Sequence, residues 1–182
     1  MAAKANPNMK VWDAVEQTPI KHTKKVNVGR GFTAIDAQYC IMRATEVFGP
    51  VGEGWGWTAD TNIVPEFNFV SSEVTVWHGS PANSYGPFTS IIQLKNKNGA
   101  LDTDAPKKCT TDALTKCLSH LGIGADIFLG KYDDNKYIAE LRAKESEKIK
   151  NQFSVADHPD PDEEAAERAA ERVVRETIAG DL

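Results

Sequence analysis

From residue 54 to 98 the chain changes its period to two. The stretches GWGWTADTNIV, FNFVSSEVTVWHG and GPFTSIIQLKNKNG are rich in Val, Ile, Thr, Phe and Trp. In EVTVWH, Val74, Val76 and His78 alternate with Thr75 and Trp77. A period of two sends neighbouring side chains to opposite faces, which is the geometry of a strand with one buried face. β-Branched and aromatic residues fit such a pleated, half-buried surface. Pro65 and the loop SPANSYGP separate the three stretches with turn chemistry. Three successive strands with short connections pair antiparallel, so this segment reads as a three-stranded meander.

Such a sheet needs helices to cover it, and three helical patterns are present. The stretch FTAIDAQYCIMRATEVFG offers Thr33 as N-cap, Asp36 three residues on, and Gly49 as the stop. Its apolar residues fall on two sides (Ile35, Tyr39 and Met42; Ala37, Ile41, Ala44 and Phe48), which predicts burial against a sheet and against a neighbouring subunit. KKCTTDALTKCLSHLG, residues 107–122, follows Thr103, Asp104 and Pro106, the residue types that open a helix. After the short apolar piece ADIFLG, Asp133 or Asp134 caps a third helix running to about Phe153. The fold class expected is therefore α+β: a three-stranded antiparallel β-meander packed with helices. Residues 1–20 read as an arm anchored by Trp12, residues 21–153 as the folded domain, and residues 154–182 as an acidic linker and a C-terminal helix, disordered or loosely docked.

The net charge of −5 is unevenly spread. Residues 151–182 carry nine acids and three arginines, so the remaining body stands near +1. Overall acidity therefore does not exclude a nucleic-acid partner, because local patches decide that. No apolar run nears the roughly 20 residues that cross a bilayer, so no membrane partner is expected. The opening MAAKANPNMK lacks the apolar core of a signal peptide, and Cys40, Cys109 and Cys117 are an odd set without CxxC spacing. Both features predict a cytoplasmic chain with reduced, buried thiols.

Enzymatic motifs are weak. GADIFLGK, residues 124–131, has the wrong spacing for a phosphate-cradling Walker loop and is followed by Tyr132 instead of Ser or Thr. Cys117 and His120 share a helix but lack the second pair of a four-ligand zinc site. Asp102 with Asp104, and Asp133 with Asp134, would be needed for a two-metal nuclease, yet all four stand where helix caps are expected. The chain is read as a non-enzyme with no metal or other cofactor, and metal-dependent cleavage is kept as an alternative.

The basic and aromatic residues are more suggestive. KHTKKVNVGR, residues 21–30, contains Lys24, Lys25 and Arg30 and no acid; it reads as a flexible basic arm beside Phe32. Lys95 and Lys97 close the third strand, and Lys107 and Lys108 open the helix soon after. On that helix Cys109, Thr110, Ala113, Leu114, Cys117, Leu118 and Leu121 share one half of the wheel. The other half holds Lys108, Thr111, Asp112, Thr115, Lys116 and Ser119. Short hydroxyls flanked by lysines allow a phosphate–sugar backbone to approach closely and are expected to donate hydrogen bonds to it. A non-DNA assembly protein with merely solubilising lysines is the bland alternative.

Three stretches carry a resemblance. AIDAQYCIMRATEVFGPVGEGWGW resembles the helix, Phe-Gly and following Gly-Trp of the Rad-fifty-two single-strand annealing superfamily. KKCTTDALTKCLSHLG resembles its Thr-Asp-x-Leu helix, and GADIFLGKYDDNKYIAEL the stretch that leads to an Asp-x-x-Tyr. The likeness covers roughly residues 20–142, and the compact size suggests the phage-encoded branch, hence a bacterial host cytoplasm. It implies a β-β-β-α fold that assembles into homo-oligomeric rings or helical filaments, with single-stranded DNA in a positive outer groove. The implied activity is ATP-independent annealing of complementary strands in recombination and repair. Lys107, Thr111, Thr115 and Lys116 would contact DNA. The family's basic dipeptide here reads Thr115-Lys116, and a further basic position reads Ser119. Apart from the resemblance, the acidic tail reads as an arm that docks a replication or recombination partner or competes with DNA for the groove.

Overall fold

The computed structural model describes residues 6–27, 29 and 31–156, with side chains as far as residue 148. These fall into two compact units divided after Ile138. Arg30 and the tail beyond residue 156 lie outside the described residues.

The first unit opens with a 3-10 turn at Pro7–Met9 and the short helix α1 (Lys10–Val15). Trp12 anchors this segment: a Cβ on Gly122 (φ +101°) would lie 2.9 Å from the Trp12 backbone, so only glycine permits the contact. A two-stranded hairpin follows, β1 (Thr23–Val26) and β2 (Phe32–Ile35), with Lys24 opposite Ala34 and Lys25 opposite Thr33. This corrects two expectations. Lys24 and Lys25 belong to a strand rather than a flexible arm, and Thr33 is a buried strand residue rather than a helix cap. Pairing across the hairpin satisfies the backbone groups of both segments, which an isolated arm would leave to water. Helix α2 (Ala37–Phe48) instead starts after Asp36, whose carboxylate accepts from Gln38 N at 2.9 Å. On α2, Tyr39, Cys40 and Ala44 are buried, whereas Met42 stays exposed. The His22 ring stacks on Tyr39 at 4.2 Å.

The expected meander is present: β3 (Trp55–Val64), β4 (Phe69–His78) and β5 (Ser80–Gln93) pair antiparallel in the order β3-β4-β5. The stretch SPANSYGP is not a loop. It extends β5, with Ser84 opposite Trp77 and Tyr85 opposite Val76, between register shifts at Trp77/His78 and at Val74/Val76. Pro81 and Pro87 are tolerated because β5 is an edge strand, where an absent N–H breaks no ladder on the open side. On the central strand Val70, Ser72, Val74 and Val76 are buried, and the residues between them are more open.

Helix α3 (Ala105–Ser119) covers this face with Ala105, Cys109, Ala113, Leu114, Cys117 and Leu118, all buried. Small residues at 105, 109, 113 and 117 let the helix lie close to β4. The Cys109 thiol sits 3.3 Å from Val70 O and 3.2 Å from Ser90 O. Trp55 is fully buried in the same core, and its indole N–H donates to Thr45 Oγ1 at 3.3 Å. Truncating an aromatic in such a position costs about 3–5 kcal/mol.

A four-residue helix, α4 (Ala125–Phe128), leads through a 3-10 turn to α5 (Asn135–Ala156), whose start is capped by Asp134 accepting from Lys136 N at 2.8 Å. The second unit is described as the α5 residues from Ala139, which end at Ala156, three residues past the expected Phe153. Among the described residues no helix is long and apolar enough to cross a membrane.

Candidate nucleic-acid interface

The side of α3 turned away from the core carries the lysines and hydroxyls. Thr111 Oγ1 donates to Lys107 O at 2.8 Å, Thr115 Oγ1 to Thr111 O at 2.9 Å, and Ser119 Oγ to Lys116 O at 2.7 Å. These hydroxyl protons are therefore spent on the helix's own carbonyls, a common habit of Ser and Thr inside helices. The expectation of outward donation is corrected: the oxygens turn lone pairs outward, and donation requires the hydroxyl to rotate. Thr110, placed on the apolar half by the wheel, instead forms a triangle of hydroxyls with Thr61 and Ser72 at 3.0–3.1 Å.

A cleft of about 710 Å³ lies beside this face. Helix α3 lines it with Lys107, Lys108, Thr111, Asp112 and Thr115. Strand β2 contributes Phe32 through Ile35, and Ala37, Ile127 and Phe128 complete it. The fold thus brings Phe32 together with Lys107, Lys108, Thr111 and Thr115, which are more than 70 residues away in sequence. Lys24 and Lys25 are not in the lining but pair with Ala34 and Thr33, which are. Lys95, Lys97 and Lys116 do not line it. Lys95 sits beyond the end of β5, its backbone N–H held by Asn68 Oδ1 at 2.8 Å.

The two cleft lysines differ electrically. Lys108 Nζ lies 2.7 Å from Asp102 Oδ2. That hydrogen bond raises the Lys108 pKa and lowers the Asp102 pKa, each charged form stabilising the other. Lys107 has no ion pair among the described residues and is exposed. Asp112, the acid in the lining, accepts from Ser90 Oγ at 2.6 Å. Lys107 is thus the cation free to meet an external anion, and Lys108 is partly neutralised.

Of the acids of the nuclease alternative, Asp102 and Asp134 are engaged locally, whereas Asp104 precedes α3 without a side-chain cap bond and Asp133 lies in the 3-10 turn before α5. Asp102 accepts from Asp104 N at 3.1 Å as well as holding Lys108, and Asp134 caps α5. Cys117 is buried, and His120 packs its ring 4.3 Å from Phe88. Among the described residues no three His, Cys, Asp or Glu side chains converge as a metal site would require.

Phe128 and Ile127 were not expected at the site, nor was Ser90, which donates to Asp112. Gly124 and Gly130 bracket ADIFL, whose Phe128 and Leu129 the fold leaves exposed. Comparison with known proteins finds no matching family model and no matching curated protein.

Proposed function

We propose that the chain binds single-stranded DNA along this cleft and, as a homo-oligomer, promotes ATP-independent annealing of complementary strands. The observation that carries the reading is the convergence of Lys107, Lys108, Thr111 and Thr115 on one cleft with the exposed ring of Phe32. Lysines neutralise phosphates whatever the sequence, and an aromatic face accepts any base. Thr111 and Thr115 add little bulk, so a backbone can come close to α3. Each subunit offers few charges, and sequence-independent affinity then comes from repetition of the cleft along an assembly. The likeness of KKCTTDALTKCLSHLG and its flanking stretches to the Rad-fifty-two superfamily supports the same reading. In it, the acidic tail contacts a replication or recombination partner.

The test is duplex formation from two complementary labelled oligonucleotides without ATP or magnesium. Acceleration over the free strands is expected. Strand loss that appears only with a divalent metal would favour the nuclease alternative instead.

A further inference from the structure

Phe32 and Phe128 are 54% and 52% exposed, although phenylalanine rings ordinarily sit inside. Both line the cleft that carries Lys107 and Thr111. Phe128 packs beside Gly124. A Cβ at Gly124 would lie 2.6 Å from Ile35 Cδ1 and 3.6 Å from Phe128 Cε2, so the bare glycine (φ +73°) leaves room for both side chains. Leu129, next in the chain and 63% exposed, is outside the lining.

We infer that Phe128, with Phe32, is a stacking platform for an unpaired nucleobase whose neighbouring phosphate is held at Lys107. The inference rests on the single-strand reading above and adds how the strand is gripped. A second copy of the chain could also cover exposed rings. Three features favour a nucleotide. The apolar residues share one cleft with lysines, so the occupant must be apolar on one side and anionic on the other. The volume, about 710 Å³, lies in the range of roughly 300–1,000 Å³ typical of small-molecule sites. The hydroxyl oxygens of Thr111 and Thr115 keep that edge polar. Stacking also suits annealing, because it engages the face of a base and leaves its pairing edge open. Bases already paired in a duplex have both faces occupied, so the platform selects single strands.

The test compares oligo-dT with an abasic oligonucleotide of equal length and charge, using the full chain at one low salt concentration. Wild type is expected to prefer oligo-dT by about tenfold, the effect of roughly one stacked base. Phe128→Leu keeps the apolar bulk and loses the π-face. It should bring the preference close to one while leaving abasic binding unchanged, whereas Phe128→Trp and Leu129→Ala should keep the preference. An unchanged preference in Phe128→Leu overturns the platform. So does a changed particle mass in light scattering with the preference intact, which would assign the rings to a subunit interface. Loss of both ligands' dependence on Lys107 would instead remove the cleft reading itself, so the two failures are distinguishable.

Discussion

Asp126 pins the cleft, and removing it has a calculable cost. The carboxylate is fully buried and has no cation paired to it among the described residues. Thr18 donates to it twice, from its backbone N–H and its hydroxyl, both at 2.8 Å. Tyr137 donates its hydroxyl at 2.7 Å and Ile127 its N–H at 2.9 Å. The N-terminal segment, α4 and the start of α5 are thereby tied to one side chain, and α4 carries Phe128. In Asp126→Ala the Ile127 N–H keeps Gly124 O at 3.0 Å, and the Tyr137 hydroxyl is half-buried and can turn to water. The Thr18 N–H, buried with its residue, keeps no partner. Stranding that donor and losing charge-assisted bonds costs about 3 kcal/mol. At this chain length that is a fall of about 6–12 °C in Tm, read by circular dichroism. Asp126→Asn should recover about half. Its oxygen can serve Thr18 N–H and Tyr137 while its NH2 donates to the Thr18 hydroxyl, which can turn to accept. An Ala variant within about 0.5 kcal/mol of wild type, or an Asn variant no better than Ala, would refute this reasoning.

Two further outcomes follow from titratable groups. Burial, with Asp36 nearby, pushes the Cys40 thiol up to about 12, and burial does the same to the Tyr39 phenol. The unfolded chain ionises first, near roughly 8.5 and 10, so stability held below that range is lost as pH climbs toward 12. Denaturation midpoints should drop from about pH 8.5 up toward 12, and Cys40→Ala should flatten the drop; a level wild-type profile would contradict the burial argument. Asp102→Asn should release Lys108 for a phosphate and steepen the salt dependence of single-strand binding by about 0.7 in log–log slope per cleft. An unchanged slope would mean that Lys108 does not face the DNA.

Much of this architecture is legible in the sequence, for identifiable reasons. The strands of the meander show because one face of β4 is buried along Val70, Ser72, Val74 and Val76, so the period of two survives. The split faces of α3 show because small residues at 105, 109, 113 and 117 must lie against the sheet. The β1–β2 hairpin is hidden because Thr33 and Asp36 imitate a capping box, and only pairing with residues 23–26 decides for a strand. The extension of β5 is hidden because SPANSYGP has turn composition, and the open edge overrides it. Phe128 cannot be read as a site residue because α4, at four residues, is too short to show a period. The neutralisation of Lys108 depends on a side chain six residues earlier folding back, which spacing alone does not reveal.

The central claim is that Lys107 and its neighbours on α3 hold single-stranded DNA for pairing. The most direct measurement is the rate of duplex formation from complementary oligonucleotides, without ATP or magnesium, for wild type and for Lys107→Ala with Lys108→Ala. Wild type should exceed the free-strand rate, and the double variant should fall back toward it while keeping its fold and particle mass. A double variant that anneals as fast as wild type would contradict the placement of the DNA in this cleft, and a wild type no faster than free strands would contradict the function.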